Sequence, residues 1–539
     1  HRNGRMNYEE ILRLGEGSGT GRPPLIEIRG LTIRDGELRL ETPWNPDDTL
    51  RTAAARADAL AIQRAAPGRI IENSPEGLRK VLIARDLNAQ AELVRISTPA
   101  GDPIFAEIDS LAARFNDPAL DLRDFAGSIE VENDSARITV SHGALPNTQF
   151  AGDGIISFPE GPIMLDLDLD ASQVDLRDVR GFVPTLPALT GRTHFEAKSE
   201  TVERTVYDLS DMHLSGGETR IDGRATAVVD KRAGFSLRSF DLSVVAADLD
   251  LVRPYLDTLP LYGTITGNLA GGGTPGNFGI RFDIAFTDAL IETRPVSRAA
   301  GGGRLSYGGP AGVAFYPGFT LESSDLSLAT ARSIVPAVVL EGRGELAGTL
   351  EGPWQNVVFE GTIRHQDGAL PVSQAEGMVH LDARGETLGM ETDLQLNPLS
   401  FDGIRRGFPG LKTRGQVSGT LRTSGTLERL VVDADLAGEL GAITATGAVT
   451  ILPPRLGADS LVATFRNLNL ATLTGSGFPT NLQGRVLVSG SVDTLRAPEG
   501  SVRLSLGPST VREVSIDSAY SQLAVRDSII TVDTLAVVW

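Results

Sequence analysis

The stretch Leu259 to Phe286, LPLYGTITGNLAGGGTPGNFGIRFDIAF, decides how the whole chain reads. Pro260 follows a large apolar residue, Gly263 and Gly267 come next, and a Gly/Pro-rich turn leads into a run of strict alternation. Ile280, Phe282, Ile284 and Phe286 fall on one side of that run, and Arg281, Asp283, Ala285 and Thr287 on the other. Strand side chains alternate faces with period two, so the run predicts a β-strand with one apolar and one wettable face.

The pattern recurs. Pro187, Pro260, Pro336, Pro409 and Pro479 follow Leu186, Leu259, Val335, Phe408 and Phe478, at intervals of 73, 76, 73 and 70 residues. Behind them stand Gly191, Gly263 with Gly267, Gly344 with Gly348, Gly415 with Gly419, and Gly484 with Gly490. Ahead of each proline lies a patch of Asp or Asn with leucine: Asp175-Leu176, Asp248 to Leu251, Asp325 to Leu328, Leu396 to Leu399, and Leu468 to Leu470. The gap between patch and proline predicts a short helix or helical turn, capped by an Asp, Asn or Ser side chain. A phased repeat predicts an elongated array in which each unit touches mainly its neighbours. One unit leaves room for roughly five or six strands and a short crossover.

The net charge of −19 over 539 residues argues against nucleic acid and against anionic lipid surfaces as partners. There are no cysteines, which excludes disulfides and thiolate metal sites. No apolar run approaches the ~20 residues of a membrane span. The chain opens at His1 and stops at Trp539 within an apolar run, so it reads as a segment whose signal or anchor lies outside it.

Residues 1–24 are polar and glycine-rich and read as a linker or frayed end; their glycines lack the Lys-Ser/Thr ending of a phosphate loop. Residues 25–185 read as an N-terminal β region. Within it, 25–42 predicts a hairpin turning at Asp35-Gly36. The alanine- and arginine-rich residues 47–65 predict a helix that caps the array. Residues 186–539 read as tandem repeats of about 73 residues, bounded 186–258, 259–334, 335–407, 408–477 and 478–539. The fold class expected is all-β: antiparallel strands in a curled, grooved repeat sheet, with short helices between repeats and one N-terminal helix.

Other two-faced strands support this. Ile138 and Val140 oppose Arg137, Thr139 and Ser141; Ile163, Leu165, Leu167 and Leu169 oppose Asp166, Asp168 and Asp170. Val357 and Phe359 oppose Glu360, and Leu430, Val432 and Leu436 oppose Asp433 and Asp435. Val502, Leu504 and Leu506 oppose Ser501, Arg503 and Ser505.

Catalytic patterns are missing. A calcium loop starting at Asp166 needs a glycine and a glutamate where Ala171 and Arg177 stand, so the three aspartates read as the wet face of a strand. No two of the six histidines have ligand spacing on one element. There is no nucleophile elbow, dinucleotide fingerprint or phosphate loop with lysine. The sequence predicts no enzyme, no metal and no cofactor.

If successive units continue one curled sheet, their apolar faces line a groove. Aromatic residues make up only 5% of the chain, so the lining is mostly Leu, Ile, Val and Ala, which suits flexible hydrocarbon. Burying acyl chains there is favourable by about 0.8 kcal/mol per methylene. The competing expectation is an ordinary dry core closed by a second sheet. The candidate lining residues are Ile138, Val140, Ile163, Leu165, Leu167, Leu169, Ile280, Phe282, Ile284, Phe286, Val357, Phe359, Leu430, Val432, Leu436, Val502, Leu504 and Leu506.

The segments LPLYGTITG (259–267), GELAGTLEGPW (344–354) and LQGRVLVSGSV (482–492), with IRGLTIRDGEL (28–38), resemble the repeats of AsmA-like proteins and most of all TamB-like ones. The resemblance covers residues 25–539. It implies a repeating β-groove rod in the periplasm of a Gram-negative envelope, anchored in the inner membrane by a segment outside this chain. It implies phospholipid transport between inner and outer membranes, with phospholipid acyl chains as partners. The alternatives it leaves are a TamB-like factor for outer-membrane protein translocation and assembly, working with an outer-membrane barrel protein, or an elongated scaffold of a membrane complex. Some 35 to 40 strands would give a rod of roughly 170 to 190 Å at ~4.8 Å per strand.

Overall fold

The computed structural model describes residues 26–539 apart from 47–49, 76, 98–102, 133, 159–162, 231–233, 252, 254–260, 310–311, 337, 409–410, 452–454, 476–477, 494–495 and 527–528. The linker expected at 1–24, the start of the helix expected at 47, and the marks Leu259-Pro260 and Pro409 lie outside the described residues. The chain is all-β with antiparallel, unclosed pairing, and it divides into two units, His1–Val245 and Ala246–Trp539.

The first unit holds β1 (Ile26–Pro43), the helix α1 (Ala53–Ala65), β2 (Ile70–Ser74), β3 (Gly77–Ser97), β4 (Ile104–Asn116) and β5 (Ala119–Leu122). It continues with β6 (Asp124–Glu132), β7 (Ser135–Ala144), β8 (Gln149–Ser157), β9 (Met164–Asp175) and β10 (Thr190–Thr201). It closes with β11 (Arg204–Gly216), β12 (Thr219–Asp230) and β13 (Gly234–Asp248). The long β3 pairs with β1 on one side and with β2 and β4 on the other. β6 joins β4, and from there each strand pairs with its successor to β13. Asp117 draws Arg69 and Lys80 to the β4–β5 turn, each at 2.9 Å.

The second unit has a four-strand period. β14 (Gly263–Thr274), β15 (Asn277–Asp288), β16 (Val296–Gly309) and β17 (Gly312–Ser327) end in the helix α2 (Leu328–Ile334). β18 (Arg343–Pro353), β19 (Asn356–Gln366), β20 (Ser373–Asp382) and β21 (Gly389–Ser400) end in α3 (Phe401–Ile404). β22 (Gln416–Thr426), β23 (Arg429–Gly438), β24 (Gly441–Thr450) and β25 (Arg455–Leu468) end in α4 (Leu470–Thr474). Last come β26 (Thr480–Asp493), β27 (Arg496–Leu506), β28 (Ser509–Val511), β29 (Val514–Ile516), β30 (Ser518–Arg526) and β31 (Ile529–Val538).

The capped turns expected after the Asp/Asn-Leu patches are present. Asp175 Oδ1 accepts from Arg177 N at 2.9 Å, and Asp248 Oδ1 from Asp250 N at 2.9 Å. Ser327, Ser400 and Asn469 cap α2, α3 and α4, accepting from Thr330, Gly403 and Ala471. The glycines behind each proline mark open β10, β14, β18, β22 and β26. At Gly267 and Gly419 the backbone takes φ of +142° and +140°, and a Cβ would fall 2.1 and 2.0 Å from the carbonyl oxygens of Asp283 and Asp435. The sheet bends there so closely that only glycine fits.

Two expectations are corrected. Residues 26–43 form one strand, not a hairpin. Asp35, at φ 50°, is a left-handed kink within β1, and its N–H donates to Asn88 Oδ1 at 3.1 Å. The Asp-Gly pair supplies the left-handed residue that a turn would need, but spends it on a bulge that lets β1 run on beside β3. Four of the five repeats hold four strands rather than five or six, the last (478–539) holds six, and the described residues contain thirty-one in all. Interior glycines bend these strands without ending them.

The buried apolar clusters sit where strands enter the crossovers. Val174, Leu189, Met212 and Leu214 form one in the first unit. Val417, Leu440, Phe465, Leu468 and Leu482 form one in the second, with Leu470 and Leu473 of α4 against it. Away from these ends, most of the apolar face is only half-buried.

Candidate functional site

Directly paired residues of an antiparallel ladder project from the same face, so register reveals how the apolar residues line up. In the first unit Ile28, Val94, Ala106, Ile129 and Ile138 stand opposite one another on β1, β3, β4, β6 and β7. The line continues through Gly154, Leu167, Ala197, Tyr207, Ala227 and Leu237 to β13. A second line runs beside it through Val140, Gly152, Leu169, Phe195 and Leu209. No polar side chain interrupts either.

The second unit has its own line. Leu269, Phe282, Gly301, Leu321, Gly348, Gly361 and Gly377 align from β14 to β20. Leu394, Leu421, Ala434, Ala445, Ala463, Val486 and Leu504 carry it on to β27, and Ser521 of β30 ends it. Most residues of these lines are half-buried, whereas a face covered by a second sheet would be dry.

Seventeen of the eighteen residues singled out in the sequence take their place on these faces. Ile138, Val140, Leu165, Leu167 and Leu169 share the inner face of the first unit. Ile280, Phe282, Ile284 and Phe286 share that of the second with Val357, Phe359, Leu430, Val432, Leu436, Val502, Leu504 and Leu506. Ile163 is the exception: it precedes β9 and is 63% exposed, because the strand starts one residue later than the alternation suggests.

The inner face carries few polar groups. Thr392 and Thr423, both buried, hydrogen-bond each other at 2.8 Å and so satisfy themselves. The aspartates of β9 project from the opposite face, where Asp166 meets Lys198 at 3.0 Å. Within the second unit, a concavity of about 920 Å³ is lined mostly by the polar side of its own sheet, among Thr450, Ser489, Ser501 and Thr531.

Pairing across strands assembles one group that residue spacing hid. His194 of β10 places Nδ1 2.8 Å from Asp170, and Nε2 3.4 Å from Asp168 and 3.3 Å from Glu196. The hydrogen bond to Asp170 leads in holding the imidazole pKa above its usual value, against the opposing effect of burial; Glu196 and the charge of Asp168 add to it. Asp168, His194 and Glu196 bring possible ligand atoms within 4.8 Å of one another on an open, acidic sheet face. Only the register of β9 against β10 could have found this group.

A second missed feature lies in the crossovers. Five positions after the caps Asp175, Asp248, Ser327 and Ser400 stand Arg180, Arg253, Arg332 and Arg405. Arg180 donates to Leu186 O at 2.8 Å, Arg253 to Leu261 O at 2.9 Å, and Arg332 to Val338 O and Leu340 O at 2.9 Å. The first three fasten the returning segment to its turn, a regularity visible in the sequence once caps are aligned, whereas Arg405 pairs with Asp402 within its own turn.

Among the described residues no helix is long and apolar enough to cross a membrane. Comparison of the chain with family models, curated proteins and solved structures returns no match.

Proposed function

We propose that this chain carries phospholipid acyl chains along its apolar face, as a non-enzymatic hydrophobic groove between inner and outer membranes. The observation that carries the reading is the unbroken apolar line in each unit, running from strand to strand and left half-exposed. A face that serves only as a core gains by being covered; one that serves a mobile apolar ligand must stay open along its length. Each methylene that settles there gains about 0.8 kcal/mol, while the aliphatic lining offers few directional contacts to arrest it. The periplasmic setting, the inner-membrane anchor and the AsmA-like, TamB-like kinship rest on the sequence resemblance.

The test is native mass spectrometry with lipid extraction on the purified chain, beside the variants Leu167→Arg and Ile284→Asp. Phospholipid should co-purify with the wild type and fall in both variants, because each places a charge in an apolar line. An Asp166→Arg variant, altered on the polar face, should retain its lipid. A folded wild type free of lipid would overturn the reading.

A second reading, assembly of outer-membrane β-barrels by strand addition, draws on β31. Its Ile529, Ile530, Leu535 and Val538 are exposed, as a strand awaiting a partner strand would be. Val532→Pro should then abolish capture of a β-strand peptide and leave lipid content unchanged.

A further inference from the structure

The inner face of the second unit is not uniform. Among the described residues, β15, β16 and β17 supply six of its aromatic side chains: Phe278, Phe282, Phe286, Tyr307, Phe315 and Phe319. Beyond them, the described strands of the second unit place Phe359 and Phe465 on that face. The Phe282 and Phe319 rings stack at 6.2 Å, and Phe315 tilts against Phe319 at 4.8 Å. Phe278 meets Tyr307 edge-on at 5.3 Å.

The strand between them is almost bare. Gly301 of β16 stands between Phe282 and Leu321 in the apolar line. A Cβ on Gly303 would lie 2.5 Å from Phe319 Cα and 2.9 Å from its ring. Phe319 therefore lies over the glycine strand, and it is 2% exposed. The β16–β17 register also slips at this point: Gly302 pairs with Thr320 and Leu305 with Phe315, so β17 uses more residues than β16 over the same span. The extra residues of β17 push Phe319 inward. Past this cluster the line drops to Gly348, Gly361 and Gly377, which have no side chains at all.

Resting on the groove reading above, we infer that Phe282 and Phe319 determine which apolar ligands the second unit admits: flexible, unbranched acyl chains and not rigid fused-ring lipids. Stacked rings on a slipped ladder yield by small side-chain rotations, which a flexible chain follows by its own torsions. A fused-ring lipid has no such torsions and needs both rings displaced together. Leucine at these positions keeps the face apolar and removes the flat stack.

The test uses the full chain with two probes, a straight-chain phosphatidylethanolamine and the fluorescent sterol dehydroergosterol, each offered from vesicles and measured as bound probe after the vesicles are removed. The wild type should take up the phospholipid and little sterol. F282L/F319L should raise the ratio of sterol to phospholipid uptake severalfold, and Y520L, an aromatic paired with Ser505 on the opposite face, should behave as wild type. Circular dichroism and melting check that each variant is folded; if the double variant is not, F282L alone must raise that ratio. Wild-type phospholipid uptake with the ratio unmoved in the folded variant overturns the inference and leaves the groove standing. A wild type that takes up neither probe overturns the groove reading as well.

Discussion

Gly419 shows how much a single residue decides. Its φ of +140° and the Asp435 carbonyl 2.0 Å from any added Cβ leave no room for alanine. Gly419→Ala is expected to lower stability by more than ~1 kcal/mol, read as a fall in the urea midpoint. Gly276→Ala, at a site with nothing within 4 Å of the added carbon, should have little effect. His194 gives a second residue-scale prediction. Its imidazole pKa is raised in the folded chain, foremost by the hydrogen bond that it donates to Asp170, so folding favours the protonated form. That stabilisation is fully present below the ordinary histidine value of ~6.5 and is lost as pH rises through the raised value. Wild type should therefore lose melting temperature across that window, and His194→Gln should flatten that part of the profile. The alternating lists around Leu167 and Phe282 were legible in the sequence because period two is local. The His194 group was not, because the register of one strand on another is set by partners far along the chain.

At the scale of the element, the caps are what the sequence declared most clearly. Asp, Asn and Ser close five crossovers where the patches predicted, since a cap needs one acceptor at one position. Ser400 is fully buried, takes the N–H of Gly403 and donates its own N–H to Ser373 Oγ at 3.0 Å. Ser400→Ala should cost about 1 kcal/mol or somewhat more, measured by chemical denaturation. Arg332→Ala removes donors from three crossover carbonyls and should raise amide exchange in residues 338–340 more than in β18. The first strand was misread for an instructive reason. Asp35-Gly36 has the chemistry of a hairpin turn, but a left-handed residue serves a bulge equally well, and only β3 running alongside decides between them. The strand count failed similarly, because glycine marks both ends and bends.

At the scale of the molecule, the two units each carry an apolar line and share no residue of it. The fold class was legible from the phased repeat, since a two-faced strand repeated along the chain leaves one face to be dealt with many times over. Whether that face was covered was not legible, because alternation is the same in a sandwich and in an open sheet. The half-buried lines favour the open form, and this has a thermodynamic consequence. A ligand that binds only the folded chain stabilises it by RT ln(1 + [L]/Kd), about 2.7 kcal/mol at a hundredfold excess over Kd. Stripping lipid with detergent should thus lower the melting temperature and raise the fluorescence of a dye that reports apolar surface; returning a long-chain phospholipid should reverse both. Because the lines have no common residue, Leu167→Arg and Ile284→Asp should each remove part of the lipid-dependent rise in melting temperature, and their free-energy effects should add when combined. A rise that survives in the folded double variant would mean that lipid binds somewhere other than the two apolar faces.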